Sequence, residues 1–264
     1  MCRVIADIGA NHMGNMDVAA SMIRAAASVG IDICKFQSWR SSKLRKDWPD
    51  YDKAYQYYKR HELSEDDHRF LMDECAKNGV EFLTSVFDLD TLDFLVTLGM
   101  KRIKIPSPDA NSWTLIDRCL DSFDEVLIST GMSTDEEFAR LLDYIATKRM
   151  QYKTVIMHCV SEYPAPAVNM GRIPYLKRCG FRAGYSDHTE GTDAAKLAIG
   201  MGTEFVERHF TLSRFLPGKD QAMSGTIEEF KEICSWRDRV QATMRLSKVE
   251  PKSRHYIGKW GPNA

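Results

Sequence analysis

Eight short runs rich in β-branched residues, each followed by a longer amphipathic stretch, set the tightest limit on how this chain folds. The runs fall at 3–8, 31–36, 80–85, 101–105, 125–129, 153–158, 181–186 and 203–208. Such runs bounded by turn residues read as buried strands, whereas apolar residues at helical spacing read as helix. Helices are expected near 16–29, 65–78, 88–98, 112–121, 134–148, 168–178, 191–201 and 226–245. Ser64, Thr134 and Thr226 stand at helix starts with acidic residues just after them, and Gly30, Gly79, Gly99, Gly180 and Gly202 close helices or turns. Eight strand–helix pairs in about 250 residues is the count of a closed (β/α)8 TIM barrel. A doubly wound open sheet would leave pairs over, and no Gly-x-Gly-x-x-Gly follows the first strand. The expected class is therefore α/β, a single-domain TIM barrel over 1–246, with a basic, aromatic C-terminal tail over 247–264. The segment 38–63, rich in Tyr, Trp, Lys and Arg, fits no strand or helix and reads as a long loop, either a lid or a solvated insertion.

Bulk properties narrow the partners. Lys plus Arg (36) nearly balance Asp plus Glu (37), so the net charge of -1 gives no reason to expect nucleic acid or an anionic membrane. Seven cysteines are scattered with no C-x-x-C spacing, which argues against a disulfide framework and for a reducing, cytoplasmic setting. The chain has no stretch apolar and long enough to span a bilayer, and its first residues run straight into strand-like sequence.

Polar residues crowd the C-terminal ends of nearly all the expected strands, where a TIM barrel keeps its active site. His188 and His209 are 21 residues apart, each just past a strand, so one strand–helix–strand unit carries both imidazoles to the same rim. Two histidines there read as an open divalent-metal site completed by water and substrate, a Lewis-acid arrangement rather than a structural one. Imidazole with oxygen donors does not choose among Mn, Fe, Co and Zn. Lys35 and Lys104, together with Ser85, Ser107, Ser129, Ser161 and Ser186, offer ammonium and hydroxyl donors suited to a compact phosphate or carboxylate. Taken singly, each lysine is also compatible with pairing to a core carboxylate, and each serine with capping the helix after it.

Eight ordered stretches carry a resemblance. They are Ile5-Ala6-Asp7-Ile8-Gly9-Ala10-Asn11-His12-Met13-Gly14, Lys35-Phe36-Gln37, Lys104-Ile105-Pro106-Ser107, Ser129-Thr130-Gly131-Met132, His158-Cys159-Val160-Ser161-Glu162-Tyr163-Pro164, Tyr185-Ser186-Asp187-His188-Thr189, Glu207-Arg208-His209-Phe210-Thr211 and Leu216-Pro217-Gly218-Lys219-Asp220. From about residue 3 to residue 245 the chain resembles the sialic acid (N-acetylneuraminate) synthase family. The resemblance implies a metal-dependent condensation of phosphoenolpyruvate with an N-acetylmannosamine-like aldose, giving a nonulosonate, a 3-deoxy-2-keto sugar acid, and phosphate. It implies that His188 and His209 hold a divalent ion, Mn2+ first and Mg2+ or Co2+ as substitutes. By the same resemblance Lys35, Ser85, Lys104, Ser107, Ser129, Ser161 and Ser186 bind phosphoenolpyruvate, and Gln37, Tyr163 and Asp220 face the sugar. Asp7 and Glu207 are then the catalytic carboxylates. The implied partners are these small molecules and a second copy of the chain in a homo-oligomer.

Three departures qualify the resemblance. Asp7 stands where these synthases usually carry Glu, a side chain one methylene longer. Ser161 occupies a position that is Asn in some relatives. Family members usually continue into a small antifreeze-like domain that lends an arginine to the partner subunit's sugar site. This chain ends at Ala264 after Arg254-His255-Tyr256-Ile257-Gly258-Lys259-Trp260-Gly261, which implies altered recognition of an N-acetyl group and no domain-exchanged dimer of the usual kind. Alternative readings are the same chemistry on a different aldose, a metal-dependent TIM-barrel hydrolase or isomerase, and a non-catalytic barrel that binds a sugar or phosphate.

Overall fold

In the computed structural model of the chain, residues 1–244 are described. The tail expected over 247–264, and with it the end of the expected barrel domain, lies outside the described residues. Eight parallel strands, β1 (Arg3–Asp7), β2 (Ile33–Ser38), β3 (Glu81–Val86), β4 (Arg102–Ile105), β5 (Glu125–Ser129), β6 (Thr154–His158), β7 (Arg182–Asp187) and β8 (Phe205–His209), pair in sequence order. The sheet closes where β8 pairs with β1, Asp7 opposite His209. This is the expected (β/α)8 barrel. Around it lie α1 (Met16–Ser28), α2 (Tyr51–His61), α3 (Glu65–Lys77), α4 (Leu89–Thr97), α5 (Trp113–Ser122), α6 (Asp135–Thr147), α7 (Arg172–Arg178), α8 (Asp193–Gly200) and α9 (Ile227–Met244).

Strand side chains alternate in direction, so every second residue points into the barrel. Following that parity upward separates three interior layers. At the base, charged side chains form a chain of ion pairs: Arg3–Glu81 at 2.8 Å, Glu81–Arg102 at 2.5 Å, Arg102–Glu125 at 2.6 Å, Glu125–Arg182 at 2.6 Å, and Arg182–Glu204. The middle is apolar, filled by Ile5, Ile33, Leu83, Leu127, Val155, Met157 and Phe205. Gly184 belongs to this layer because a side chain would not fit: a Cβ there would lie 2.1 Å from the Met157 sulfur. The plugged base and centre leave only the upper ends of the strands to form a cavity, and the next residues of the same parity are polar.

Outside the strands, the helices bury stripes such as Met22 and Ile23, Leu92 and Leu95, Leu141 and Ile145, and Phe230 and Ile233. Two expected helix starts carry full capping boxes. Ser64 accepts from the Asp67 amide while the Asp67 carboxylate accepts from the Ser64 amide, and Thr134 and Glu137 repeat the arrangement. Each such cap is worth about 1 kcal/mol.

The segment 38–63 corrects the expectation of an irregular loop. It holds a 3-10 turn, Ser41–Lys43, and helix α2. Its helical period is hidden because tyrosines and basic residues stand where aliphatic ones usually mark the packed face. Ala54 and His61 are buried, and the buried Trp39 donates from its indole to the Tyr58 carbonyl at 2.9 Å while packing edge-on against Phe87. On the opposite flank the Lys219 ammonium sits 4.1 Å from the centre of the Tyr57 ring. Gly14 in the loop after β1, at φ +71°, lies so close to the end of α2 that a Cβ would come within 2.3 Å of the Arg60 carbonyl oxygen. The insertion is thus packed over the mouth of the barrel.

Candidate active site

The strand ends surround a cavity of about 290 Å3 that gathers almost every residue singled out in the sequence. Asp7 from β1, Lys35 and Gln37 from β2, Ser85 from β3 and Lys104 from β4 line it, with Ser107 just beyond. Ser129, Ser161, Tyr163, Ser186, His188, Glu207 and His209 complete the wall from the remaining four strands and their loops. Asp220 is the exception. It sits at the start of the 3-10 turn Gln221–Met223, with its carbonyl accepting from the Ser224 hydroxyl at 2.6 Å, and does not line the cavity. The loop after β8 is anchored by Gln221, which donates to the Asn11 carbonyl at 3.0 Å and is fully buried. The charge of Asp220 is still felt at the mouth, where it adds to burial in raising the pKa of Tyr57, Tyr58 and Tyr163.

Two buried ion pairs form the floor. The Lys35 ammonium is 2.8 Å from Asp7, donates to Ser85 at 3.2 Å and lies 4.0 Å from Glu207. Lys104 pairs with Glu207, whose same oxygen accepts from Ser186 at 3.0 Å. Burial by itself lowers the Lys35 pKa, but the neighbouring Asp7 and Glu207 charges outweigh it and raise it overall. Burial likewise opposes ionisation of Glu207, yet Lys104 and Lys35 hold its carboxyl well below the usual range. Both alternatives left open for the lysines thus meet in one place: each pairs with a carboxylate, and each faces the cavity.

Opposite the lysines stand the imidazoles, their ring centres 6.0 Å apart and their planes 26° from parallel. The His188 Nδ1 donates to the Val160 carbonyl at 2.6 Å, which leaves Nε2 with its lone pair toward the Tyr163 hydroxyl at 3.2 Å. Burial, then the nearby His209, lower the His188 pKa to about 4, so the ring is neutral at physiological pH and able to ligate. His209 Nδ1 lies 3.6 Å from Asp7, too far for a hydrogen bond.

Five buried side-chain polar atoms have no hydrogen-bond partner among the described residues: His209 Nδ1, Asp7 Oδ1, Glu207 Oε2 and Ser129 Oγ, on residues that line this cavity, and Arg208 Nε outside it. Orphaned buried groups are costly, and their concentration here marks a site built for a polar occupant. Two imidazoles beside carboxylate oxygens fit a borderline divalent cation. Among the described residues, no group of three or more His, Cys, Asp or Glu side chains stands at metal-binding spacing. The residues that would hold such a cation are His188 and His209.

Sequence reasoning gave no role to Cys159, which is buried in the cavity wall with its sulfur 3.4 Å from the Ser107 hydroxyl. It also passed over a second cavity of about 780 Å3 that shares Tyr163 and His188 with the first and is edged by Glu190, Arg208, Arg214 and Lys219. Lys219 belongs to the Leu216-Pro217-Gly218-Lys219-Asp220 motif, but nothing in the sequence brings it beside residues of the β6 and β7 loops.

Histidine also couples this face to pH. His12, in the loop after β1, is buried, and its Nδ1 accepts from the Gly14 amide at 3.2 Å. Burial, assisted by His61, lowers its pKa from 6.5 to about 4. The unfolded chain therefore binds a proton that the folded chain excludes, so stability is complete above pH 6.5 and declines as pH falls toward 4. The loss from this group amounts to ~3 kcal/mol. Urea unfolding at a series of pH values should show that decline, and His12→Asn should make it shallower over the same window, the remainder coming from the other buried histidines with lowered pKa, His188 among them.

The family profile that matches this chain is that of the NeuB family, over residues 22–248. The chain belongs to the NeuB family. The N,N'-diacetyllegionaminic acid synthase of Legionella pneumophila is 34% identical over 250 residues, covering 88% of this chain and 70% of that protein. The N-acetylneuraminate-9-phosphate synthase of Drosophila melanogaster is 33% identical, covering 87% of this chain and 65% of that one. Among solved structures, the N-acetylneuraminic acid synthetase of Leptospira borgpetersenii in complex with citrate superposes with a TM-score of 0.84 at 29% identity, covering 95% of this chain and 87% of that one. No helix among the described residues is long and apolar enough to cross a membrane.

Proposed function

We propose that this protein condenses phosphoenolpyruvate with an N-acetylmannosamine-like aldose, forming a nonulosonate and releasing phosphate. The observation that carries the reading is the convergence of two lysines, two carboxylates and two histidines in one polar cavity at the C-terminal end of the barrel. Charge accounting supports it. Lys35 and Lys104 balance Asp7 and Glu207, and His188 is neutral, so the cavity alone does not neutralise a ligand carrying both a phosphate and a carboxylate. A divalent cation on His188 and His209 supplies the missing positive charge and polarises the aldehyde when bound.

Lys35 and Lys104, with hydroxyls from Ser85, Ser107, Ser129, Ser161 and Ser186, hold the anion and fix C3 of the enol toward the imidazole side. The aldose spans the boundary with the adjoining larger cavity, its carbonyl carbon beside His188 and its hydroxyls toward Gln37 of the smaller cavity and Tyr163, which lines both. C3 then attacks that carbon, and negative charge collects on the aldehyde oxygen while C2 becomes electron-poor. Asp7, ionised beside Lys35, relays to that oxygen a proton drawn from solvent water. Glu207, kept ionised by Lys104, takes a proton from the water that adds at C2 and returns it to the departing phosphate; as the C2–O bond to phosphate cleaves, the C2 hydroxyl gives its proton to solvent and becomes the keto group.

A phosphate-release assay tests the reading. Phosphate should appear only when phosphoenolpyruvate, Mn2+ and an aldose from a panel of neutral, diacetamido and phosphorylated sugars are all present. Release without any aldose would make the protein a phosphatase and would overturn the proposal.

A further inference from the structure

We infer that Asp187 and Arg208, which lie outside the lysine-floored cavity, Arg208 at the wall of the larger one, are positioning residues that set the spacing of the two imidazoles. The inference rests on the metal reading above. The two residues are partners in the β7–β8 ladder, and each immediately precedes one of the histidines. Strand alternation turns Ser186 and His188 inward, with Glu207 and His209, and turns Asp187 and Arg208 outward beneath the helix layer. There they form an ion pair of 3.0 Å with side chains 0% and 2% exposed.

The Asp187 carboxylate does more than meet one guanidinium. It accepts from the Tyr185 hydroxyl at 3.0 Å, from the Thr189 amide at 3.0 Å and from the Thr189 hydroxyl at 2.8 Å. The bond from the Thr189 amide closes an Asx turn whose central residue is His188. Arg208 in turn donates to the Gly191 carbonyl, gripping the far end of the same loop. One buried carboxylate thus fixes the backbone on both sides of His188 and ties it to the residue before His209. An apolar pair would fill the same space without the desolvation penalty of two charges; what the ion pair adds is a defined geometry.

The test is Mn2+ affinity, read by electron paramagnetic resonance of the free ion, beside phosphoenolpyruvate binding measured without metal. Asp187→Ala and Arg208→Lys should each weaken Mn2+ binding roughly 10–100-fold, the usual range for groups that orient metal ligands. Asp187→Asn should fall between wild type and Asp187→Ala, because an amide oxygen still closes the turn. Phosphoenolpyruvate binding should change little. Glu125→Gln in the basal ion-pair chain serves as a control that lowers the melting temperature but leaves Mn2+ affinity within about twofold. Wild-type Mn2+ affinity in folded Asp187→Ala and Arg208→Lys would overturn the inference, leaving the pair a purely structural role. If Asp187→Ala does not fold, Asp187→Asn and Arg208→Lys decide on the same readout. A wild-type protein that binds no Mn2+, with His188→Ala indistinguishable from it, would instead remove the metal reading and the inference with it.

Discussion

Alanine in place of His188 or His209 should lower metal-dependent phosphate release on the order of 1000-fold while leaving the fold intact. The size follows from what a bound divalent cation contributes to stabilising developing charge, several kcal/mol, at about 1.4 kcal/mol per factor of ten in rate. The fold should survive because neither ring is part of the barrel's apolar layer. His188 is partly exposed, and its polar contacts are to the Val160 carbonyl and the Tyr163 hydroxyl. Losing that hydrogen bond costs about 1 kcal/mol. Steady-state kinetics and thermal unfolding on the same samples check both halves. Full turnover in either variant would remove the metal from the mechanism.

Lys104→Met should destabilise the protein by about 3–5 kcal/mol and abolish phosphoenolpyruvate binding, two effects that a second substitution separates. Glu207 is buried, and without Lys104 it keeps only the Ser186 hydroxyl and a lysine 4.0 Å away. Breaking a buried pair from one side leaves an uncompensated charge; removing both charges does not. Lys104→Met/Glu207→Leu should therefore regain most of the stability in urea unfolding. It should regain no phosphoenolpyruvate binding by calorimetry, since the anion still lacks its ammonium partner. A double variant that binds phosphoenolpyruvate like wild type would show that Lys104 only balances Glu207.

Much of this architecture was legible because a strand repeats every two residues. Ile5 then Asp7, Leu83 then Ser85, and Phe205 then Glu207 show an apolar interior giving way to a polar rim, and the strand ends could be read from sequence within a few residues. What escaped depends on contacts remote in the chain. The pairing of Lys104 with Glu207 links residues on β4 and β8, across the barrel, and no local pattern reveals it. Asp220, placed toward the sugar by the resemblance, does not line the smaller cavity, yet its charge acts on Lys35 and Tyr163 there, a relation that only the folded loop reveals. Helix α2 was missed because its packed face is made by Ala54, aromatic rings and His61 rather than by an aliphatic stripe. Ser186-Asp187-His188 reads as one polar cluster along the chain. In the barrel, alternation sends its middle residue to the opposite side of the wall.

Whether imidazoles and lysines serve one shared site is tested most directly by the phosphorus resonance of phosphoenolpyruvate bound to the protein in the presence of Mn2+. If the cation rests on His188 and His209 above the lysine floor, the paramagnetic ion broadens that resonance strongly in wild type and not in the His188→Ala/His209→Ala double variant. A sharp resonance from wild-type protein that has bound both Mn2+ and phosphoenolpyruvate would contradict the account.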